Sequence, residues 1–232
     1  MAERIRVKRT KDEILEILVV VLLGVVALLT AWATWIGSLH EGNQANNYTK
    51  SNNISADGNS RWNQAAQNLS ADMALWNSIT EIRIDRAFAE NKGDQVETER
   101  ANWKLAQLST DSVGENLQAA INWADEQEEY ASPFSKEGFV ESYFADAQTV
   151  LDEAQAVLEQ GQKDNEDGDA YGLVTVVYSI VLFLLGIAGS FKNTNNKIGV
   201  IAVSVVGMVF ATAYMMTLSM PTDFSIVAYL GM

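Results

Sequence analysis

Three stretches of the chain, residues 17–36, 171–191 and 198–220, are apolar runs without a charged side chain. With 20, 21 and 23 residues, each is long enough, at about 1.5 Å rise per residue, to cross a hydrocarbon core of about 30 Å as a helix. The first run also imitates a signal peptide, with a basic start and Ala31-Trp32-Ala33 where a cleavage site would lie. It continues past Ala33 through Trp35 and Ile36, so it reads as an anchor.

Between the first two runs the pattern turns polar but stays periodic. Apolar residues recur at steps of three and four: Trp62, Ala66, Leu69, Met73 and Trp76; then Ala106, Val113, Leu117, Ile121 and Ala124; then Val140, Tyr143, Phe144, Ala147, Leu151, Ala154 and Leu158. That spacing marks amphipathic helices, and strand-like alternation is absent. Breaks are legible. Asn91-Lys92-Gly93-Asp94 predicts a turn, Ser132-Pro133 ends a helix, and Ser135 is placed to cap the next. Ser112 with Glu115 has the spacing of a capping box and predicts a further break near 109–112.

Chain geometry restricts how these helices connect. The first span leaves the membrane and the second returns to it, and a helix over 136–169 would descend about 50 Å. An even number of long crossings is needed. The expected arrangement is one long helix from the membrane to about Glu90, a hairpin of 95–109 and 112–131, and a descending helix 136–169. The competing arrangement breaks the first helix at Asp57-Gly58-Asn59 and gives four comparable segments.

Charge sets the orientation. Arg4, Arg6, Lys8, Arg9 and Lys11 precede the first span, and Lys192 and Lys197 lie between the second and third. Cytoplasmic loops are enriched in Lys and Arg, so both segments are expected inside. Trp32, Trp35 and Tyr171 then fall at the outer interface, where amphipathic rings are favoured. The predicted organisation is a basic cytoplasmic arm (1–13), a transmembrane helix (14–39), an acidic helical extracytoplasmic domain (40–169), a second transmembrane helix (170–191), a cytoplasmic loop (192–197), a third transmembrane helix (198–220) and an extracytoplasmic tail (221–232). Residues 40–169 hold 25 of the 30 acids and 9 of the 16 bases, a net charge of −16, which argues against nucleic acid as a partner. The chain has no cysteine, so disulfides and thiol chemistry are excluded.

Short motifs elsewhere resemble a family of small bacterial three-span membrane proteins with a helical extracytoplasmic insertion between spans 1 and 2. They are Thr30-Ala31-Trp32 with Trp35, the Ser132-Pro133-Phe134 corner, Gly168-Asp169-Ala170-Tyr171 before the second span, and Gly186-Ile187 leading to Phe191 and a short basic loop. The resemblance implies the architecture and no activity.

Chemistry-bearing patterns are few. His40, the single histidine, is expected to be an interfacial polar residue; metal sites built on imidazoles need more, and no HExxH, GxSxG, Walker-type or GxGxxG motif occurs. Glu126, Glu128 and Glu129, and Asp164, Glu166, Asp167 and Asp169, read as solvated acidic rims. Counted from Asp164, an EF-hand's sixth-position glycine would be Asp169 and its twelfth-position glutamate Thr175. No enzyme activity, cofactor or metal is therefore expected. The spans contain no ionisable residue, which disfavours ion-coupled transport.

Two features point to self-association. Residues 42–60 should continue the first span as helix, yet they are rich in asparagine and weak helix formers. Either Asn43, Asn46, Asn47, Lys50 and Asn53 face one another in a polar core or vestibule of an oligomer, or this segment is a solvated helix or loop. In the first span Ala27, Thr30, Ala31, Thr34 and Ser38 form a small, weakly polar face; Gly186 with Ser190 and Gly207 with Ala211 repeat small-xxx-small spacing. Such faces pack helices closely or line a pore. The expectation is an all-α, integral membrane protein with a coiled-coil or bundle-like extracytoplasmic domain. It is non-enzymatic and homo-oligomeric, with lipid as its surroundings, and a pore would draw cations through the acidic exterior. The alternative is a sensor or accessory subunit whose helical domain binds a ligand or an envelope partner.

Overall fold

The apolar run of the first span does not end where its last aliphatic residue does. In the computed structural model, which describes residues 10–221 and Phe224, the helix α1 runs from Lys11 to Lys92 without a break, 82 residues in all. The bases Arg4, Arg6, Lys8 and Arg9 and most of the tail lie outside the described residues. Four further helices follow: α2 (Gln95–Asp111), α3 (Glu115–Asp125), α4 (Phe139–Ala188) and α5 (Thr194–Met215), with a single 3-10 turn at Pro133–Ser135. No strand occurs among the described residues. Three helices, α1, α4 and α5, are long and apolar enough to cross a membrane, which marks a multi-pass membrane protein.

Local chemistry explains the breaks. Gly93 takes φ 73°, a left-handed conformation that stops α1 and that side chains disfavour. Asp94 then caps α2 by accepting from the Glu97 amide at 3.2 Å. The predicted break near 109–112 falls at the end of α2, but the capping box does not form. The Ser112 and Val113 amides both bond to the Leu108 carbonyl and finish α2, so α3 starts later, from Gly114, with no side-chain cap. Ser132 caps the Pro133 turn by accepting from the Phe134 amide. Ser135 lies inside that turn and donates to the Ser132 carbonyl, so it does not cap α4; Gly138, at φ 74°, precedes that helix instead. The second arm of the predicted hairpin, 112–131, is helical only over Glu115–Asp125. There is no break at 57–59.

The chain divides into two compact units, one drawn from residues 1–50 and 156–232, the other from residues 51–155. α1 and α4 contribute to both. In the first unit, α1, α4 and α5 bury Val26, Ala33, Ile36, Tyr178, Leu185 and Ile201 among one another. Gly207 of α5 comes close to Val181 of α4, and Ala211 is buried, so this small-residue pair is a packing contact. Lys197, expected in a loop, lies in the first turn of α5. Its side chain is buried, with Nζ 3.7 Å from Glu16 and 4.0 Å from Asp12 of α1.

The second unit packs Trp76 and Ile79 of α1 against Leu117, Ala120 and Ile121 of α3 and Phe139 of α4. Arg83 forks onto both oxygens of Asp125 at 2.6 and 2.9 Å, fixing α3 to α1. The α1 seam is offset from the apolar pattern. Ala65 and Asp72 face inward whereas Ala66 and Met73 are exposed, and on α2 Leu105 is half-buried while Ala106 is exposed. Asp72 is tolerated there because the Tyr143 hydroxyl donates to it at 2.5 Å.

The asparagine-rich segment is helical for the same reason: its inward positions are small or satisfied. Ser51 donates to the Ala154 carbonyl at 2.8 Å, and Leu151 of α4 fills the notch at Gly58. In the first unit, the Tyr48 ring covers Gly161. Intrinsic propensity is weak along this stretch, and tertiary contact overrides it.

A Cβ at Gly58 would lie 2.7 Å from Leu151 Cδ2. Gly58→Leu is therefore expected to destabilise the protein by about 1–3 kcal/mol in detergent-solubilised denaturant unfolding, and Leu151→Ala should recover part of that loss. Burial and the Asp72 carboxylate both raise the Tyr143 pKa above its usual value of 10.0. The folded state thus holds the phenol proton where the unfolded chain releases it. That stability is complete below pH 10 and lost above it, so Tyr143→Phe should flatten the fall in unfolding free energy measured at increasing alkaline pH.

Candidate functional site

His40 follows Val26 and Ala33 at intervals of seven, which carries it onto the buried face of α1. It is 1% exposed. On α4, Asp164, Gly168 and Tyr171 recur at four and three and turn toward it; Asp164 is 2% exposed. His40 is therefore buried within the protein, and Asp164 leaves the solvated rim where sequence put it. Glu166 and Asp169 remain exposed, as do Glu126, Glu128 and Glu129.

The two side chains meet directly. His40 Nδ1 lies 3.2 Å from Asp164 Oδ1, and Nε2 lies 3.2 Å from the Ser219 carbonyl just beyond α5. The imidazole stacks on the Tyr171 ring, centroids 5.8 Å apart, and the Tyr171 hydroxyl donates to the same Ser219 carbonyl. Asp164 Oδ2 accepts from Asn47 Nδ2 at 2.9 Å and from Gln160 Nε2 at 3.5 Å. Beside them Gln44 donates to Asn165 at 2.7 Å. A glycine-to-glycine approach makes room: a Cβ on Gly37 would lie 3.7 Å from the Gly168 carbonyl, and one on Gly168 3.5 Å from His40 Cβ.

Proton inventory follows from this geometry. A neutral imidazole donates from one nitrogen only, yet here both nitrogens face oxygen acceptors. His40 is placed to donate to the Asp164 carboxylate or to the Ser219 carbonyl, and the carboxylate also receives amide donors from Asn47 and Gln160. Each ring nitrogen faces a protein oxygen, so neither is turned to an open site. Among the described residues no cluster of three or more His, Cys, Asp or Glu side chains could hold a metal ion. What the arrangement does is lock three separate stretches of chain together. Trp32, Trp35 and Phe224 add a second clasp, with ring centroids 5.5–6.1 Å apart in edge-on contacts, so the segment after α5 is held at two points.

The residues singled out from sequence separate into two groups. Asn47 joins the histidine site and Asn43 is half-buried, while Asn46, Lys50 and Asn53 are exposed. Ala27, Ala31, Thr34 and Ser38 are exposed and Thr30 is half-buried at their edge. Thr30 and Thr34 donate back to the Val26 and Thr30 carbonyls. Sequence reasoning missed the His40–Asp164 pair, whose members are 124 positions apart; the heptad step from Val26 to His40 was its one available sign.

Substituting His40 by Ala leaves the buried Asp164 carboxylate short of one hydrogen-bond partner and should cost about 1–3 kcal/mol in unfolding experiments. The double variant His40→Leu with Asp164→Leu should cost less than the sum of the two singles, a coupling read from a double-mutant cycle. Compared with known proteins, the chain matches no family model, no curated protein and no solved structure.

Proposed function

We propose that the chain is a non-enzymatic, multi-pass protein of the cell membrane that works as a homo-oligomer. Its N-terminus and the turn before α5 lie inside, and residues 40–169 form an acidic helical domain outside. The distribution of bases at Lys11, Lys192 and Lys197 and in the N-terminal arm supports that orientation.

The observation that carries self-association is the unused face of α1. The bundle takes Val19, Val26, Ala33, Ile36 and His40, on one side of the helix. Gly24, Ala27, Ala31, Thr34 and Ser38, spaced at three and four, lie on nearly the opposite side and are exposed, and a Cβ at Gly24 would meet nothing within 4 Å. Lipid tails are as apolar as leucine, so a narrow stripe of small residues is better matched by another helix than by lipid. Its edge, at Thr34 and Ser38, opens on a groove of about 160 Å³ shared with Gly168, Gly172 and Thr175, where a neighbouring side chain can lodge. The threonine hydroxyls on this face are tied back to their own helix, which suits a packed seam better than a wetted pore lining.

In lipid nanodiscs the protein should appear as a multimer by mass photometry. Ala27→Leu with Ala31→Leu should weaken association about tenfold, equivalent to about 1.4 kcal/mol, while Val21→Ala, on the lipid-facing flank, should leave it unchanged. A monomeric wild-type particle would overturn the reading.

A further inference from the structure

α1 places Ile79, Arg83 and Arg86 at steps of four and three, so all three look out from one face of the helix. Together with Leu105 of α2, Val113 of the linker and Ile121 of α3 they line a groove of about 590 Å³. Ile79 and Ile121 are buried and Leu105 and Val113 half-buried, which makes the floor aliphatic. Sites for small molecules run from about 300 to 1,000 Å³ and combine an apolar lining with a few placed polar groups. Here the polar groups are guanidiniums.

The two arginines differ in what they already hold. Arg83 is fully used: it forks onto both oxygens of Asp125 and lies over the Trp76 ring, 5.3 Å from its centroid. Arg86 is not. Its hydrogen bond from Nη1 to Asn102 is 3.5 Å long, at the limit of such a bond. Nε is buried and has no acceptor; the Glu90 carboxylate, 3.4 Å away, is not aligned to take its proton. No protein acceptor meets Nη2 among the described residues. A guanidinium carries five N–H donors in a planar fork, and folded proteins rarely leave buried donors unmade.

We propose that this groove binds a small organic monocarboxylate, its carboxylate on the Arg86 fork and its apolar body against Ile79, Leu105, Val113 and Ile121. The fork matches the two oxygens of a carboxylate. Charge limits the ligand to one negative group. Residues 40–169 carry a net −16, so each further negative charge on the ligand adds repulsion. Asp125 also lines the groove, but Arg83 offsets it. Inorganic phosphate has no apolar body for the aliphatic floor, and a neutral apolar molecule leaves Arg86 unanswered. Because α1, α2 and α3 all contribute to the lining, an occupant bridges them and stabilises their arrangement. The site lies within one copy of the chain and stands apart from the homo-oligomer reading.

The test uses the full-length protein in lipid nanodiscs and the photoreactive probe para-benzoylbenzoate, which has both a carboxylate and an aromatic body. Illumination followed by peptide mass spectrometry should place adducts within residues 79–86 and 105–121. Excess benzoate should suppress them and benzyl alcohol should not. Arg86→Gln should raise the probe concentration for half-maximal labelling about tenfold. Arg86→Lys, which keeps the charge and loses the fork, should raise it less. Ala106→Trp fills the groove from an exposed position and should abolish labelling with Arg86 intact, whereas Arg100→Gln, outside the lining, should change nothing. Circular dichroism checks that each variant is folded. Adducts spread over the membrane-spanning helices, equal suppression by benzyl alcohol, or unchanged labelling of folded Arg86→Gln or Ala106→Trp protein would overturn the site.

Discussion

Close approach of α1 and α4 is the constraint on which the structure depends. Along the asparagine-rich stretch of α1 few large apolar side chains are available to bury against α4. Each unit solves this in the same way, by a glycine on one helix receiving a side chain of the other: Gly161 under Tyr48 in one, Gly58 under Leu151 in the other. Short separation makes weak groups effective. Ser51 can reach the Ala154 carbonyl only because the two helices nearly touch there. Dispersion contacts and directed hydrogen bonds thus replace the broad hydrophobic seam of an ordinary bundle.

That replacement also explains how far the sequence could be read. The three spans were legible because a long uncharged run has one good solution in lipid, and the turn at Gly93 because a single residue in an unusual conformation announces itself. The long first helix was legible from connectivity. The facing positions on α1 were less so: hydrophobicity ranks Ala66 and Met73 above Ala65 and Asp72, yet Ala65 is buried and Asp72 half-buried while the other two are exposed. A seam built from Ser, Gly, Ala and a satisfied Asp carries little apolar signal. The break before α3 was placed well and its cap badly, since Ser112 was already spent on terminating α2.

The histidine site was hidden for a different reason. Local sequence shows a lone imidazole and an acidic run, each with an ordinary solvated interpretation. Only the fold brings His40 to Asp164, and only the return of the chain after α5 supplies the Ser219 carbonyl that occupies the second nitrogen. The asparagines nearby belong to the same story in part: Asn47 supports Asp164, whereas Asn46, Lys50 and Asn53 point away from it into the surroundings.

Lys197 carries a consequence for how such a chain is made. As it emerges between two apolar runs, its ammonium is unpaired and strongly resists transfer through hydrocarbon. Once α5 docks on α1, Glu16 and Asp12 cancel that charge and the side chain is shut away. A cation that lies between two apolar runs in the sequence is thus not displayed on the surface of the folded molecule. Its charge is taken up by the contact that secures α5 against α1.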